Sequence, residues 1–330
     1  MSTHAVRIIE ISEVRPHDNA ERLEIVPVGG WQAVVKKGQF KPGDPAVYIE
    51  PDYTVPTDRV EFSFLAREGR ERHRLKAVRL RGVLSFGLLI PPPEEIATMD
   101  VGEDVMALLG IERYVPPMKL ASSDELPQDQ WPALYTPVFD IENIQKFPDM
   151  LAPGENVIIT EKIHGANARY VFHNGTFYMG SRTRWLKPDV AHIWKLAADA
   201  TPSLREFCEA NPDVILFGEV FGRVQSLKYG SPNEVRFAAF AALQADRWCD
   251  LPKLYDWLDG EGVPVAPLLY VGPFDRETAA HLAEQDSEVA GAGAHMKEGV
   301  VITPTHERRD ENIGRVSLKL ISNRYWESEA

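Results

Sequence analysis
Apolar and polar positions alternate in short runs along the first third of the chain. The runs at 6–14 (VRIIEISEV), 23–28 (LEIVPV), 31–38 (WQAVVKKG), 45–51 (PAVYIEP), 73–82 (HRLKAVRLRG) and 85–91 (SFGLLIP) are rich in Val, Ile and aromatic residues. Turn signals at Gly29-Gly30, Pro42-Gly43-Asp44 and Gly82 break them, the pattern of short strands joined by tight turns. About five such strands predict a small barrel, for which an OB-fold is the best fit. The run at 101–111 (VGEDVMALLGI) predicts a closing helix. From Tyr135 the pattern mixes two periods. Strands are expected at 155–160, 168–174, 176–182, 214–222, 235–243 and 299–304, and helices at 192–200, 203–210 and 277–285. The stretch between Val115 and Tyr135 is rich in Pro and Ser with mixed charge. The chain therefore divides into an OB-like domain at 1–115, a linker at 116–134 and an α+β domain with antiparallel sheets at 135–330.

Composition narrows the class. A hydrophobic content of 44% with 26% charged residues fits an ordinary globular protein. No apolar run approaches the ~20 residues of a membrane helix, and the first residues lack an apolar signal core. Cys208 and Cys249 are the only cysteines, which disfavours a disulfide framework or a cysteine zinc site and points to a reducing compartment, the cytoplasm. The net charge of -13 argues against a passive nucleic-acid coat, since phosphate attraction needs local positive charge. Such charge is present locally. Between Arg67 and Arg81 stand Arg67, Arg70, Arg72, Arg74, Lys76, Arg79 and Arg81 against Glu68 and Glu71, and a second cluster is Arg182, Arg184 and Lys187.

Candidate chemistry begins at Lys162. The lysine closes an apolar strand and is followed by the turn Ile163-His164-Gly165. A lysine amine becomes a covalent nucleophile when it loses its proton, and other cations at a cleft favour that. Further along stand Ser181-Arg182, the apolar strand around Gly218-Glu219, the aromatic strand with Phe237 and Phe240, Glu298-Gly299-Val300 at the head of a β-branched strand, and Ser317-Leu318-Lys319. There is no G-x-x-x-x-G-K-[ST] segment, so a P-loop NTPase is disfavoured.

In this order the elements resemble the covalent nucleotidyltransferase superfamily of polynucleotide ligases and capping enzymes, over roughly residues 135–325. Lys319 stands eleven residues before Ala330, so the OB-like segment is expected ahead of the lysine. That order is similar to ATP-dependent RNA ligases of the Deinococcus and Naegleria type. The resemblance implies that Lys162 takes AMP from ATP and passes it to a 5′-phosphate end, which a 3′-hydroxyl then attacks. It implies catalytic roles for Lys162, Glu298 and Lys319. It implies nucleotide binding by Glu161, Arg182, Glu219, Lys319 and one of the two stacking candidates, Phe240 or Phe237. Glu219 and Glu298 would hold Mg²⁺ or Mn²⁺ through water. Arg72, Arg74, Arg79, Arg81 and Arg184 are the expected nucleic-acid contacts. Arg79 and Arg81, two apart, would share one strand face. The expected partners are nicked or broken RNA or RNA/DNA duplex ends, not a membrane. Two positions depart from the common pattern: His164 stands where most of the superfamily has Asp, and Ser317 where a Lys is usual, with Arg315 a substitute cation. The rival readings are a DNA ligase, a GTP-using capping-type enzyme, and a non-catalytic OB-fold nucleic-acid-binding protein.

Overall fold
The computed structural model describes residues 4–115 and 122–329, which form two compact units. One comprises residues 4–115 together with Ile144–Pro148 and 326–329. The other comprises 122–143 and 149–325.

The N-terminal unit is built from short antiparallel strands. Ile8–Glu10, Pro45–Ile49 and Leu88–Ile90 form one sheet. Arg15–Pro16, Leu23–Val28 and Trp31–Lys36 form another, with Gly29-Gly30 making the hairpin turn. Inward-facing Ile8, Val47, Ile49, Tyr53, Val55, Phe62, Leu75 and Ile90 make its core. Two expectations fail here. Residues 101–111 are a succession of turns, not a helix. Gly102 and Gly110 both have left-handed backbones (φ 98° and 62°), a conformation that interrupts a right-handed helix. The run at 73–82 is not one strand. Arg72–Arg74 and Val78–Leu80 belong to different sheets, and Arg81 lies in the turn that follows, at φ 50°. Arg79 and Arg81 therefore do not share a strand face.

The larger unit holds two sheets. The six-stranded sheet runs in the order Trp185–Leu186, Thr176–Ser181, Ala166–His173, Ile215–Gly222, Val235–Gln244, Arg247–Trp248. The five-stranded sheet runs Glu142–Asn143, Leu318–Ile321, Gly299–Pro304, Asn156–Lys162, Leu268–Pro273. Helices Ile193–Asp199, Pro202–Ala210 and Leu251–Gly260 cover one face of the six-stranded sheet through Trp194, Leu204, Phe207, Leu254 and Leu258. The helix at Leu251–Gly260 and the strand at Leu268–Pro273 have no counterpart in the sequence reading. The other face carries Val171, Trp185, Ile215, Phe217 and Ala241. Of the expected linker, residues 116–121 lie outside the described residues. Leu126, Trp131 and Leu134 pack on this second face, and the Leu126 N–H donates to the Trp185 carbonyl at 2.8 Å.

Candidate active site
Lys162 is the last residue of its strand and pairs with Gly299 of the neighbouring strand, so Glu298 arrives beside it. Its Nζ lies 2.8 Å from Glu298 Oε1. The turn after the lysine is held close to the glutamate strand, Ile215–Gly222. A Cβ on Gly165 would sit 2.2 Å from the Val220 carbonyl oxygen, so only glycine fits this approach. The Gly165 N–H donates to Glu219. His164 Nδ1 is 3.4 Å from the second oxygen of Glu298, and its Nε2 is 3.1 Å from Ser226 Oγ. On the five-stranded sheet, Thr160, Val301 and Lys319 are in register. Because alternate residues of a strand share a face, Lys319 stands on the same face as Lys162.

Burial and charge act against each other at this cluster. Burial would lower the Lys162 ammonium, but Glu298, Glu219 and Asp140 outweigh it and hold the lysine above its ordinary value. Glu298 is likewise pushed up by burial, yet Lys162 and His164 hold it down at about 2. The ion pair is therefore the ground state. Glu219 goes the other way: burial raises it to about 8 against the pull of Lys162, with the Glu298 charge adding to the rise. This is the behaviour of two carboxylates sharing one cation.

The structure separates the two aromatic candidates. Phe237 is 2% exposed and meets Tyr170 edge-on in the helix-covered core. Phe240 is the extra residue of a bulge, since Phe217 pairs with Ala241 and Gly218 with Ala239. Such a bulge re-aims side chains, and Phe240 lies half-buried on the Phe217 face, 4.7 Å from Phe139. Phe217 and Glu219 alternate on one strand, so Phe240 shares the Glu219 face.

Other expected residues are placed as follows. Arg182 is 3.6 Å from Asp140, which also acts on Lys162. Glu161 points to the opposite face from Lys162, where it accepts from Ser287 Oγ at 2.6 Å and from the Glu288 N–H at 2.7 Å. Arg315 pairs with Glu307 and lies over Trp248, while Ser317 bonds Thr303 at 2.8 Å inside the core. Arg184 pairs with Glu125. In the N-terminal unit Arg72 bonds the Gly110 carbonyl, Arg74 pairs with Asp52, and Arg79 pairs with Glu327; Arg81 is exposed. Sequence reasoning overlooked Ser226, Tyr229, Asp140 and Tyr325. Ser226, Tyr229 and Tyr325 reach His164 from distant parts of the chain, and no local pattern marks them.

The two sheets and the lysine–carboxylate pair between them define a ligase of the nucleotidyl-transferring class, preceded by a barrel. The chain belongs to the RNA ligase family, whose profile matches residues 155–321, half of the chain. An OB-fold domain profile matches residues 5–92. Among solved structures, the chain is similar to Naegleria gruberi RNA ligase with PPi, at 25% identity and TM-score 0.81, covering 99% of both chains. A mutant of that ligase with ATP and Mn matches at 25% identity and TM-score 0.81 over 98% of each chain. A second mutant, with AMP and Mn, matches at 25% identity and TM-score 0.81 over 98% of each. No protein of curated function matches the chain. No helix among the described residues is long and apolar enough to cross a membrane.

Proposed function
We propose that the protein is an ATP-dependent RNA ligase that works through AMP bound covalently to Lys162. The observation that carries this reading is the Lys162–Glu298 ion pair, at 2.8 Å, with Glu219 beside it and Lys319 on the same sheet face. A binding protein has no use for a half-buried lysine set between two carboxylates; phosphoryl chemistry does, because it needs placement and charge neutralisation. The Lys162 ammonium, whose side chain is partly open to solvent, first loses its proton to water, and the freed amine Nζ attacks the ATP α-phosphorus. The N–P bond forms, the bond to the β-phosphate oxygen breaks, and pyrophosphate leaves. AMP then passes to a 5′-phosphate end, and a 3′-hydroxyl displaces it.

The resemblance supplies the roles, and the positions are compatible with them. Phe240 stacks on the adenine and Phe237 serves the core. Glu219 holds the ribose, Lys319 contacts the α-phosphate, and Arg182 lies close to the phosphates. No three His, Cys, Asp or Glu residues among those described converge to cage a cation. Two carboxylates at one site instead suit Mg²⁺ or Mn²⁺ held through water, because Mg²⁺ keeps several waters and shares its sphere with phosphates. When bound, the cation supplies positive charge to the triphosphate. The N-terminal unit engages nicked or broken RNA or RNA/DNA ends, with Arg81 the most accessible of its candidate cations, and the setting is RNA repair in the cytoplasm.

The test is incubation with α-labelled ATP and Mg²⁺, followed by a denaturing gel. The wild-type chain should carry an acid-labile, alkali-stable label, and Lys162→Ala should carry none. A labelled mutant would place the nucleophile elsewhere. Labelling by GTP in preference to ATP would favour the capping-type reading. Nicks with RNA or DNA on the 3′ side would separate RNA from DNA ligation.

A further inference from the structure
Tyr229 is completely buried, yet it sits in the loop between the glutamate strand and Val235–Gln244, outside every element the proposed chemistry uses. Its backbone is left-handed, at φ 49°. Such a conformation is costly for a bulky side chain and survives only where the surroundings impose it. Here they do. The next residue, Gly230, also has positive φ (71°), and a Cβ on it would fall 2.0 Å from the Gly291 carbonyl oxygen. The turn is thus packed against the loop that leads to Glu298. The Tyr229 ring stacks on His295, with centroids 5.0 Å apart and planes 28° apart. Phe221 meets it edge-on at 5.6 Å.

The hydrogen bonds complete the connection. The backbone N–H of His164, two residues after the nucleophile, donates to the Tyr229 hydroxyl at 2.7 Å. The Tyr229 N–H reaches His295 Nε2 at 3.4 Å. His295 Nδ1 is 2.7 Å from the Met296 carbonyl, so Nδ1 carries the proton and Nε2 is the acceptor. Met296 stands two residues before Glu298. A continuous path therefore runs from the turn after Lys162, through Tyr229 and His295, to the start of the Glu298 strand. At its ends Lys162 and His164 both contact Glu298.

We infer that Tyr229 is a positioning residue for adenylylation: its phenol fixes the His164 backbone, and with it the Lys162 turn, in register with Glu298. This rests on Lys162 being the nucleophile. Tyr229 touches neither Lys162 nor Glu298 by hydrogen bond; it sets where they stand. In-line attack is sensitive to such placement, since a shift of about 1 Å can cost on the order of 100-fold.

The experiment is single-turnover adenylylation of Tyr229→Phe in the full chain over a range of ATP concentrations. The ring and its stacking stay; only the acceptor for the His164 N–H is lost. The maximal rate should fall by about 10- to 100-fold, with half-saturating ATP unchanged within about twofold and an unfolding temperature close to wild type. A wild-type rate would overturn the inference. So would a change confined to half-saturating ATP, which would make the phenol an ATP contact. If Tyr229→Phe does not fold, His295→Phe probes the same path from its other end. It keeps a stacked ring but removes both nitrogens, and it should show the same loss of rate at unchanged ATP dependence; a wild-type rate there overturns the inference as well. Lys162→Ala is the control. Labelling of that variant defeats the lysine reading, whereas an inert Lys162→Ala beside a fully active Tyr229→Phe defeats only the role of Tyr229.

Discussion

Glu219 and Glu298 face the same ammonium and titrate in opposite directions. Glu298 makes the direct bond and is held at about 2; Glu219 lacks it and burial carries it to about 8. The sign of each effect on stability follows. Glu298 has a folded value below its unfolded one near 4.5, so its contribution is present above that pH and is lost as the pH falls towards 2. Glu219 has a folded value above its unfolded one. Its contribution is present in full below about pH 4.5 and is lost as the pH rises through about 8. Glu219→Gln should therefore stabilise the metal-free protein at pH 8.5 by on the order of a few kcal/mol, read as a higher unfolding temperature, and should leave that temperature nearly unchanged at pH 5. Equal shifts at both pH values would show that Glu219 is not held protonated. The same substitution should slow adenylylation by about 100-fold, as loss of a group that places the nucleotide at a reacting centre does. Both carboxylates could be picked out in the sequence only through the ordered resemblance to nucleotidyltransferases, since a lone glutamate at a strand edge is common. Their division of labour could not, because it depends on which oxygen is 2.8 Å from Lys162.

At the scale of elements, the strands that carry Lys162 and Glu219 and the strand that follows Glu298 were legible as apolar runs, and three of the four sequence-predicted helices appear, at Ile193–Asp199, Pro202–Ala210 and Arg276–Glu284. The helix at Leu251–Gly260 was missed although its local signals are helical: Asp250 precedes it, Pro252 stands in its first turn, and Leu251, Leu254, Tyr255 and Leu258 recur at helical spacing and are buried on the sheet. Alternation alone could not choose between Phe237 and Phe240, because a bulge changes the register between them. That choice yields a test. Phe240→Leu should raise half-saturating ATP several-fold, with stacking worth about 1–3 kcal/mol per base, and should barely move the unfolding temperature. Phe237→Leu should do the reverse, destabilising by on the order of 1 kcal/mol through loss of its packing with Tyr170. A larger ATP effect from Phe237→Leu would reverse the assignment.

At the scale of the whole molecule, the N-terminal unit is not a continuous segment. The Gly30 N–H donates to the Gln145 carbonyl at 2.8 Å, Lys146 pairs with Glu50 at 2.9 Å, and Trp326 lies edge-on to Phe86 at 6.2 Å. Glu327 pairs with Arg79, and the Glu329 carbonyl accepts from Lys76. A chain ending at Tyr325 should therefore lose stability in this unit, by about 3 kcal/mol for the missing Trp326 side chain. Calorimetry of the truncated chain should show a transition at lower temperature, while labelling of Lys162 persists. An unmoved transition would mean that residues 326–329 contribute little to the unit's stability.

The sequence by itself determined the candidates for chemistry and their order: a lysine at a strand end, two carboxylates, a late lysine, an aromatic strand, and an OB-like run ahead of them, a set marked out by its resemblance to nucleotidyltransferases. Residue type and order along the chain are what such a resemblance reads. Only the tertiary structure decided that Arg72, Arg74 and Arg79 are engaged with the N-terminal unit's own carbonyl and carboxylate groups, that Glu161 faces away from its neighbour Lys162, and that Tyr229 and His295 tie the lysine's turn to the glutamate's strand. Those outcomes depend on groups tens to hundreds of residues apart meeting at hydrogen-bond range. A strand's alternation fixes which residues share a face, but the partner that the face meets is set by how the sheets and loops pack.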